Sequence, residues 1–352
     1  MQAFFIERYK DVGKLGQLPE PSVGDNDVLV QVHAASVNAL DAKIRKGEFK
    51  LILPYRFPLV LGNDLAGVVV GVGRNVRQFK VGDEVYGRPP DNRIGSFAEL
   101  IAVNEDALAL KPRNLDMEQA ASLPLVALTA WQVLVETAQV KPGQKVFIHA
   151  GSGGVGTIAI QLAKHLGAFV ATTTSTRNVD WVKGLGADVV IDYRTQAFES
   201  TLRDYDVVLN SLGPDVLDKS FQVLKSGSGA RLISISGPPT PAFAEQQGLS
   251  WGLKQALRFL SWRVRRKAAK LGVNYDFVFM RAHGEQLRQI TGLVESGAIQ
   301  PEIDRVFPLD AVQEALAYVE SGRAKGKVVI RVRATPPLQQ QLDSRQTGVR
   351  VQ

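Results

Sequence analysis

Residues 145–156 read KVFIHAGSGGVG, and few stretches leave a chain so little choice of fold. A short apolar run, Val146, Phe147 and Ile148, ends in a glycine-rich turn. Gly151, Gly153 and Gly156 fit G-x-G-x-x-G, with Ser152, Gly154 and Val155 completing the loop. An apolar helical pattern follows at once at Val155, Ile158, Ala159, Leu162, Ala163 and Leu166. Strand, glycine turn and helix in that order form the context a dinucleotide fingerprint requires. Glycines let the backbone turn sharply and come close to a pyrophosphate, and the helix N-terminus offers it free N–H groups and a positive dipole end. The flanks weigh against a tight turn that binds nothing.

The same rhythm continues downstream. Strands are expected at Phe169 to Thr174, Val189 to Tyr193, Asp206 to Leu209 and Leu232 to Ile235, with helices at Val179 to Leu185 and Val216 to Leu224. Alternating strand and helix implies a doubly wound parallel sheet, a Rossmann-type α/β domain, with ligands at the carboxyl ends of the strands. That brings the glycine turn, Thr174 to Arg177, Tyr193 and the turn Asn210, Ser211, Gly213 around one crevice. An NAD site wants a carboxylate at the end of the second strand, about 20 residues past the glycines. Here the stretch reads Thr172, Thr173, Thr174, Ser175, Thr176, Arg177, Asn178, with no acid before Asp180. Hydroxyl and amide groups with one arginine suit a 2′-phosphate, so Thr174, Ser175, Arg177 and Asn178 are assigned to NADPH. Capping of the helix that starts near Val179 is compatible with that role.

A chain of 352 residues is long for one core, so two domains are expected. Residues 1–122 are β-rich, with VLVQV at Val28 and VVVGV at Val68 between frequent glycines and prolines, the pattern of a small barrel or sandwich. A helical run follows, with Met117 to Ala121 and Leu128 to Ala138 apolar on one side. The Rossmann domain spans 123–280 and contains an insertion at 238–276. Within it, 251–271 (WGLKQALRFLSWRVRRKAAKL) reads as one basic amphipathic helix, with Trp251, Leu253, Leu257, Leu260, Val264, Ala268 and Leu271 sharing a face. It is expected to pack over the sheet edge or the mouth of the site, with a membrane-surface helix as the alternative. Phe277 to Met280 (FVFM) reads as an apolar edge strand that needs a cover, for which a twin in a homodimer is expected. Residues 281–333 hold a helix at Gln286 to Glu295, another at Leu309 to Glu320 and a closing strand at Val328 to Val332. Residues 334–352 read as a disordered tail.

The chain has no cysteine, which excludes disulfides, a cysteine nucleophile and thiolate metal sites. The charged N-terminal stretch shows no signal-peptide pattern, and no run of 18 apolar residues spans a bilayer. A cytoplasmic location is the default that follows. The net charge of +7 suits an anionic partner, a phosphate-bearing cofactor or solubility alone. Nucleic-acid binding has only that charge behind it, with no motif.

HAGSGGVGTIAIQLAKHLGA with the TTTS stretch and VIDYR resembles the zinc-free quinone oxidoreductase branch of the medium-chain dehydrogenase/reductase superfamily. ASVNALDAKIRKG, PLVLGNDLAGVVVGVG, FKVGDEVYG, GSFAELIAV, ASLPLVALTAWQVL and SGRAKGKVVI match further stretches in the same order, covering residues 1 to about 333. The resemblance implies a GroES-like catalytic domain, a Rossmann domain and a C-terminal return to the first. Zinc members carry a Cys in the stretch matching SVNALD and a His-Glu pair after PLVLG. Here those places hold Asn38 and Asn63-Asp64, and the four-cysteine lobe is absent. The histidines at 33, 149, 165 and 283 have no ligand spacing, so no metal is expected.

Without a metal, the expected chemistry is hydride transfer to a quinone or an α,β-unsaturated carbonyl, with negative charge building on an oxygen that needs donors. By resemblance, Asn38 lies near the nicotinamide and the substrate. Asp41 and Lys43 follow on the same segment, and Lys43 is a candidate to stabilise an enolate or supply a proton, or else a solvated surface lysine. Tyr55 is a candidate pocket wall or proton donor, or packs on Pro54 and Phe57. The resemblance also places Thr129 at the nicotinamide, Tyr193 and the Asn210 to Gly213 turn at the ribose and adenine side, and Lys327 at the cofactor phosphates. The rival expectation is an NADPH-binding, redox-sensing partner with little turnover.

Overall fold

A computed structural model describes residues 1–333; the stretch read as a tail, 334–352, lies outside the described residues. The chain divides into two compact units. One takes Met1–Leu125, Arg281–Gly297 and the chain from Pro301, the other Val126–Met280 with Ala298–Gln300.

The first unit is built on a seven-stranded sheet. Its path runs Ile303–Pro308, Lys327–Arg331, Asp27–Val37, Leu65–Val72, Glu84–Gly87 and Leu108–Leu110, and Leu100–Asn104 also pairs with Asp27–Val37. A smaller sheet joins Lys14–Gln17, Gln2–Ile6 and Leu59–Val60. The β-branched runs seen in the sequence form the two long central strands, and their valines meet Phe97, Leu108, Val312 and Ile330 in one core. This β-rich unit is the GroES-like part of a mixed α/β fold. The sequence reading missed the strand Ile303–Pro308. It pairs in parallel with the closing strand, and its alternation is interrupted by a register shift between Ile303 and Arg305.

The second unit is a six-stranded parallel sheet in the order Val189–Asp192, Phe169–Thr174, Lys145–Ile148, Val207–Asn210, Arg231–Ser234, Asn274–Phe277. By strand number this is 3-2-1-4-5-6, so the chain reverses direction of winding beside Lys145–Ile148, where such sheets take ligands. The helix Gly154–His165 starts directly after the glycine turn and buries Ile158, Ala159, Leu162 and Ala163.

The insertion differs from its reading. The expected single helix is two, Trp251–Leu260 and Trp262–Leu271, broken at Ser261, which is buried and donates its hydroxyl to Leu257 O at 2.8 Å. Leu257 and Ala268 face inward, with Val264 and Leu271 packed on the core, whereas Trp251 and Leu260 point to solvent. The strand expected over Phe277 to Met280 lies instead at Asn274–Phe277. Phe277 and Phe279 pack on Phe243 of the helix Pro241–Gln246, so the cover comes from the chain itself. The run after Pro124 is a helix to Trp131 that widens into a π-helix over Gln132–Thr137.

Candidate functional site

The crevice of the parallel sheet is made by what its residues lack. A Cβ on Gly156 would stand 2.2 Å from Ala150 O and 2.8 Å from Gly151 Cα, and one on Gly151 would stand 2.3 Å from Thr172 Oγ1. Ala150 itself takes φ of +55°, and its N–H donates to the Thr173 hydroxyl oxygen at 3.1 Å. Gly153 caps the following helix with no side chain over the first N–H groups. Ser152, Gly154 and Val155 are half-buried along that rim. Such a turn is shaped for the close approach of a pyrophosphate.

At the end of the neighbouring strand, Thr174 Oγ1 and Asn178 Oδ1 are buried and have no hydrogen-bond partner among the described residues. Asn178 Nδ2 donates to Ser175 Oγ at 3.3 Å, and Arg177 beside it is exposed. Unspent polar atoms next to the glycine turn fit a polar ligand there. The sequence did not reveal Asp192, which the sheet register places opposite Thr174. Its carboxylate is held below the usual range, first by the Thr176 hydroxyl and further by the Arg194 N–H at 3.0 Å. Tyr193, next in the chain, is 58% exposed. Asn210 is fully buried and shapes its own turn, with Nδ2 donating to Leu212 O at 3.0 Å and to Ser234 Oγ at 3.1 Å. Ser211 donates to His149 O at 3.5 Å, and a Cβ on Gly213 would meet nothing within 4 Å. Thr129 is buried in the helix Pro124–Trp131 of this unit.

The first unit holds a second, different site. Ser36, Asp41, Asn63 and Asp64 are fully buried, and Asn38 and Lys327 nearly so. Asp64 Oδ2 accepts from Ser36 Oγ at 2.6 Å, Asn38 Nδ2 at 2.8 Å and Lys327 Nζ at 3.4 Å, while its Oδ1 accepts from the Leu125 N–H at 2.7 Å. Lys327 Nζ also donates to Asn38 Oδ1 at 2.5 Å and to Val37 O at 3.2 Å. Its three protons are therefore spent, which removes it from the cofactor phosphates where it was expected. Burial lowers its pKa, and the two carboxylates oppose that shift. Asp41 caps the helix Ala39–Lys46, accepting from Asn38 N at 2.7 Å and Asn63 Nδ2 at 2.6 Å. Burial raises its pKa to about 6, against the pull of these donors. Asn38 thus has both ends of its amide fixed, and Asp41 is held beneath it rather than facing a ligand.

The other two candidates separate. Lys43 stands half-buried on the same helix, and its ammonium has no hydrogen-bond or ion-pair partner among the described residues. Tyr55 donates its hydroxyl to Asp91 O at 2.7 Å, and burial, with Asp91 next, pushes its pKa up. That proton is committed to a backbone carbonyl and the ring packs against the core of this unit, which argues against Tyr55 as the proton donor. Arg88 was not anticipated. It is fully buried, pairs through Nη2 with Asp91, and leaves Nε and Nη1 without a partner among the described residues. Nothing local in GDEVYGR distinguishes it from a surface arginine.

Residues 24–113 match the alcohol dehydrogenase GroES-like domain, and residues 185–330 match the zinc-binding dehydrogenase family. The mitochondrial NAD(P)H oxidoreductase RTN4IP1 of Bos taurus is 37% identical, covering 87% of this chain and 82% of its own length. The chloroplastic NADPH-dependent alkenal/one oxidoreductase of Arabidopsis thaliana is 36% identical, covering 91% and 76%. The structure of the quinone oxidoreductase from Coxiella burnetii superposes with a TM-score of 0.80 at 32% identity, covering 95% of this chain and 99% of that one. Relatives that reside in mitochondria and chloroplasts overturn the expectation of a cytoplasmic location, because neither the missing cysteines nor the charged first residues distinguish those compartments. Among the described residues no helix is long and apolar enough to cross a membrane.

Proposed function

The chain belongs to the medium-chain dehydrogenase/reductase superfamily, in its zinc-free quinone oxidoreductase branch, and on that premise we propose that it is an NADPH-dependent reductase of quinones or α,β-unsaturated carbonyls. Its relatives support NAD(P)H-dependent oxidoreduction as the broader activity. The observation that carries the narrower reading is the ammonium of Lys327, buried between Asn38 and Asp64.

The family description names zinc, and the residues do not fit it. The polar side chains are amides and carboxylates, no thiolate exists in the chain, and a fixed positive charge already hydrogen-bonds Asn38 and Asp64. A divalent ion there would meet that charge in a low-dielectric interior. The reaction is therefore assigned to a conjugated acceptor that needs no Lewis acid.

The dinucleotide fits better. The glycine turn at Gly151 to Gly156 takes its pyrophosphate, and Thr174, Ser175, Arg177 and Asn178 take the 2′-phosphate. Thr129, Tyr193 and the Asn210 to Gly213 turn line the remainder. When bound, the cofactor would supply a hydride, which carries both electrons of the reduction. Asn38 is held in one geometry by Lys327 and Asp64, and by resemblance it is the candidate to contact the substrate. Lys43 offers a charge to the oxygen on which negative charge develops, and solvent supplies the proton. The apolar side chains of this run are covered within the chain, so a homodimer rests only on the outer edge of the strand Asn274–Phe277, where a second copy would lengthen the sheet; a monomer in sedimentation removes that part of the reading.

Steady-state oxidation of NADPH, measured with a benzoquinone and with a short alkenone, ranks the two substrate classes. Turnover of one or both is expected. Tight NADPH binding without turnover of either would replace the reductase by a binding or sensing protein.

A further inference from the structure

The helices Trp251–Leu260 and Trp262–Leu271 present an outward face that the reductase reading does not use. Four large apolar side chains stand in solvent there: Trp251 is 78% exposed, Phe259 81%, Leu260 59% and Trp262 49%. Trp251, Phe259 and Leu260 stand on the first helix and Trp262 opens the second, so these exposed side chains make an apolar stripe that continues across the break at Ser261. The inward face is already satisfied, with Leu257 and Ala268 buried and Val264 and Leu271 packed on the core of the parallel-sheet unit. The stripe is therefore not a core face left open by accident of packing.

The charge on this segment is as one-sided as its apolar surface. Residues 251–271 carry seven basic residues and no acidic one; of the chain's 42 lysines and arginines the remaining 35 match its 35 acids, so the whole net charge of +7 sits here. Lys254, Arg258, Arg263 and Lys270 have no ion-pair or side-chain hydrogen-bond partner among the described residues. Arg266 stacks 5.0 Å above the Trp262 ring, and Lys267 is tied to Asp218 at 2.5 Å.

We propose that this face docks the protein on an anionic lipid surface, with Trp251, Phe259, Leu260 and Trp262 seated at the headgroup level and the flanking cations against lipid phosphates and carboxylates. Charge complementarity selects the occupant. A second copy meeting face to face would set all seven cations of one chain against those of the other. A nucleic acid accounts for the cations but leaves the aliphatic and aromatic stripe in water. Tryptophan and phenylalanine at the interface, with Lys and Arg beside them, are what a membrane surface rewards. Each cation near an anionic bilayer strengthens binding about fivefold.

The test uses the full chain and co-sedimentation with vesicles of phosphatidylcholine alone and of phosphatidylcholine with phosphatidylserine. Binding to the anionic vesicles only, weakened by salt, is expected, with a blue shift of tryptophan emission. Arg258→Gln, Arg263→Gln and Arg266→Gln together should weaken it about a hundredfold. Trp251→Ser, Phe259→Ser and Trp262→Ser together should abolish the blue shift and most of the binding. Both variants should keep the parent's thermal midpoint, since none of these side chains is buried. Failure to bind anionic vesicles, or equal binding to both kinds, overturns the proposal. So does loss of self-association in the aromatic variant, which would make the face an interface between copies. Single-stranded DNA binding that matches vesicle binding and ignores the aromatic substitutions would also overturn it.

Discussion

The glycine turn at 151–156 and the buried cluster around Asp64 do opposite things with side chains. The turn works by omission. Its two critical glycines leave room that a single methyl would close, 2.2 Å from Ala150 O at one and 2.3 Å from Thr172 Oγ1 at the other. The cluster works by saturation: Ser36, Asn38, Lys327 and the Leu125 N–H all converge on one carboxylate. The turn is made from consecutive residues on one strand-to-helix junction. The cluster draws on segments near 36–41, 63–64, 125 and 327; two strands pair antiparallel with Asp27–Val37, one setting Val328 opposite Val37 and the other setting Leu65 opposite Ala35, and so bring Lys327 and Asp64 to it. A turn kept open by missing side chains and a cluster filled by charged and polar ones thus have different weak points.

Removing a charge from the cluster should have the largest effect. Lys327→Met leaves Asp64 buried with its hydrogen bonds but without its cation, and should cost about 3–5 kcal/mol in denaturant unfolding. A cost below about 1 kcal/mol would mean that the contact between Lys327 and Asp64 does not hold the cluster together.

Asp41 tests the same cluster by pH. Its folded pKa of about 6 lies above the ordinary 3.8, so the folded state holds this proton more tightly than the unfolded chain. Its stabilising contribution is fully present below about pH 4 and is lost as the pH rises through about 6, on the order of 3 kcal/mol. Unfolding free energies measured across that window should fall with pH from this group, and Asp41→Asn should flatten the slope. An unchanged slope would detach Asp41 from it.

The turn should fail by obstruction. Gly156→Ala forces its methyl against backbone, which cannot rotate away, and should cost about 1–3 kcal/mol with loss of NADPH binding. Gly213→Ala, with nothing near its added methyl, should stay within about 0.5 kcal/mol of the parent. Equal losses of stability at both glycines would break the contrast between a turn closed to any side chain and one that has room for it.

Cofactor choice carries the smallest energies. Arg177→Ala should raise the KM for NADPH about tenfold, about 1.4 kcal/mol, and leave that for NADH unchanged. Asp192→Asn should leave NADPH within about threefold, or improve it, since an acid near the 2′-phosphate only repels. Loss of NADH use in Asp192→Asn would instead assign that carboxylate to a ribose diol.

What the sequence showed follows the same division. The glycine turn, the strand–helix alternation and the missing acid after Thr174 are local, and each could be read from neighbours in the chain. Asp192 was hidden because strand register, not sequence distance, brings it level with Thr174. Lys327 is a phosphate candidate by the GKVVI match alone, and only the pairing of its strand with Asp27–Val37 shows that it is folded into the cluster. Arg88 gave no signal, since burial of a lone arginine depends on what packs around it. The run 251–271 has the pattern of one apolar face, but Ser261 divides it into two helices, and in the first of them Leu257 is buried while Trp251 and Leu260 are exposed.

The central claim is that a buried ammonium, fixed between an amide and a carboxylate, stands where a metal would otherwise supply charge. The direct measurement is NADPH oxidation by an alkenone or a benzoquinone before and after exhaustive chelation, with zinc then added back. Turnover that is unchanged by the chelator and not raised by zinc is the predicted result. Activity that disappears on chelation and returns with zinc would contradict the claim.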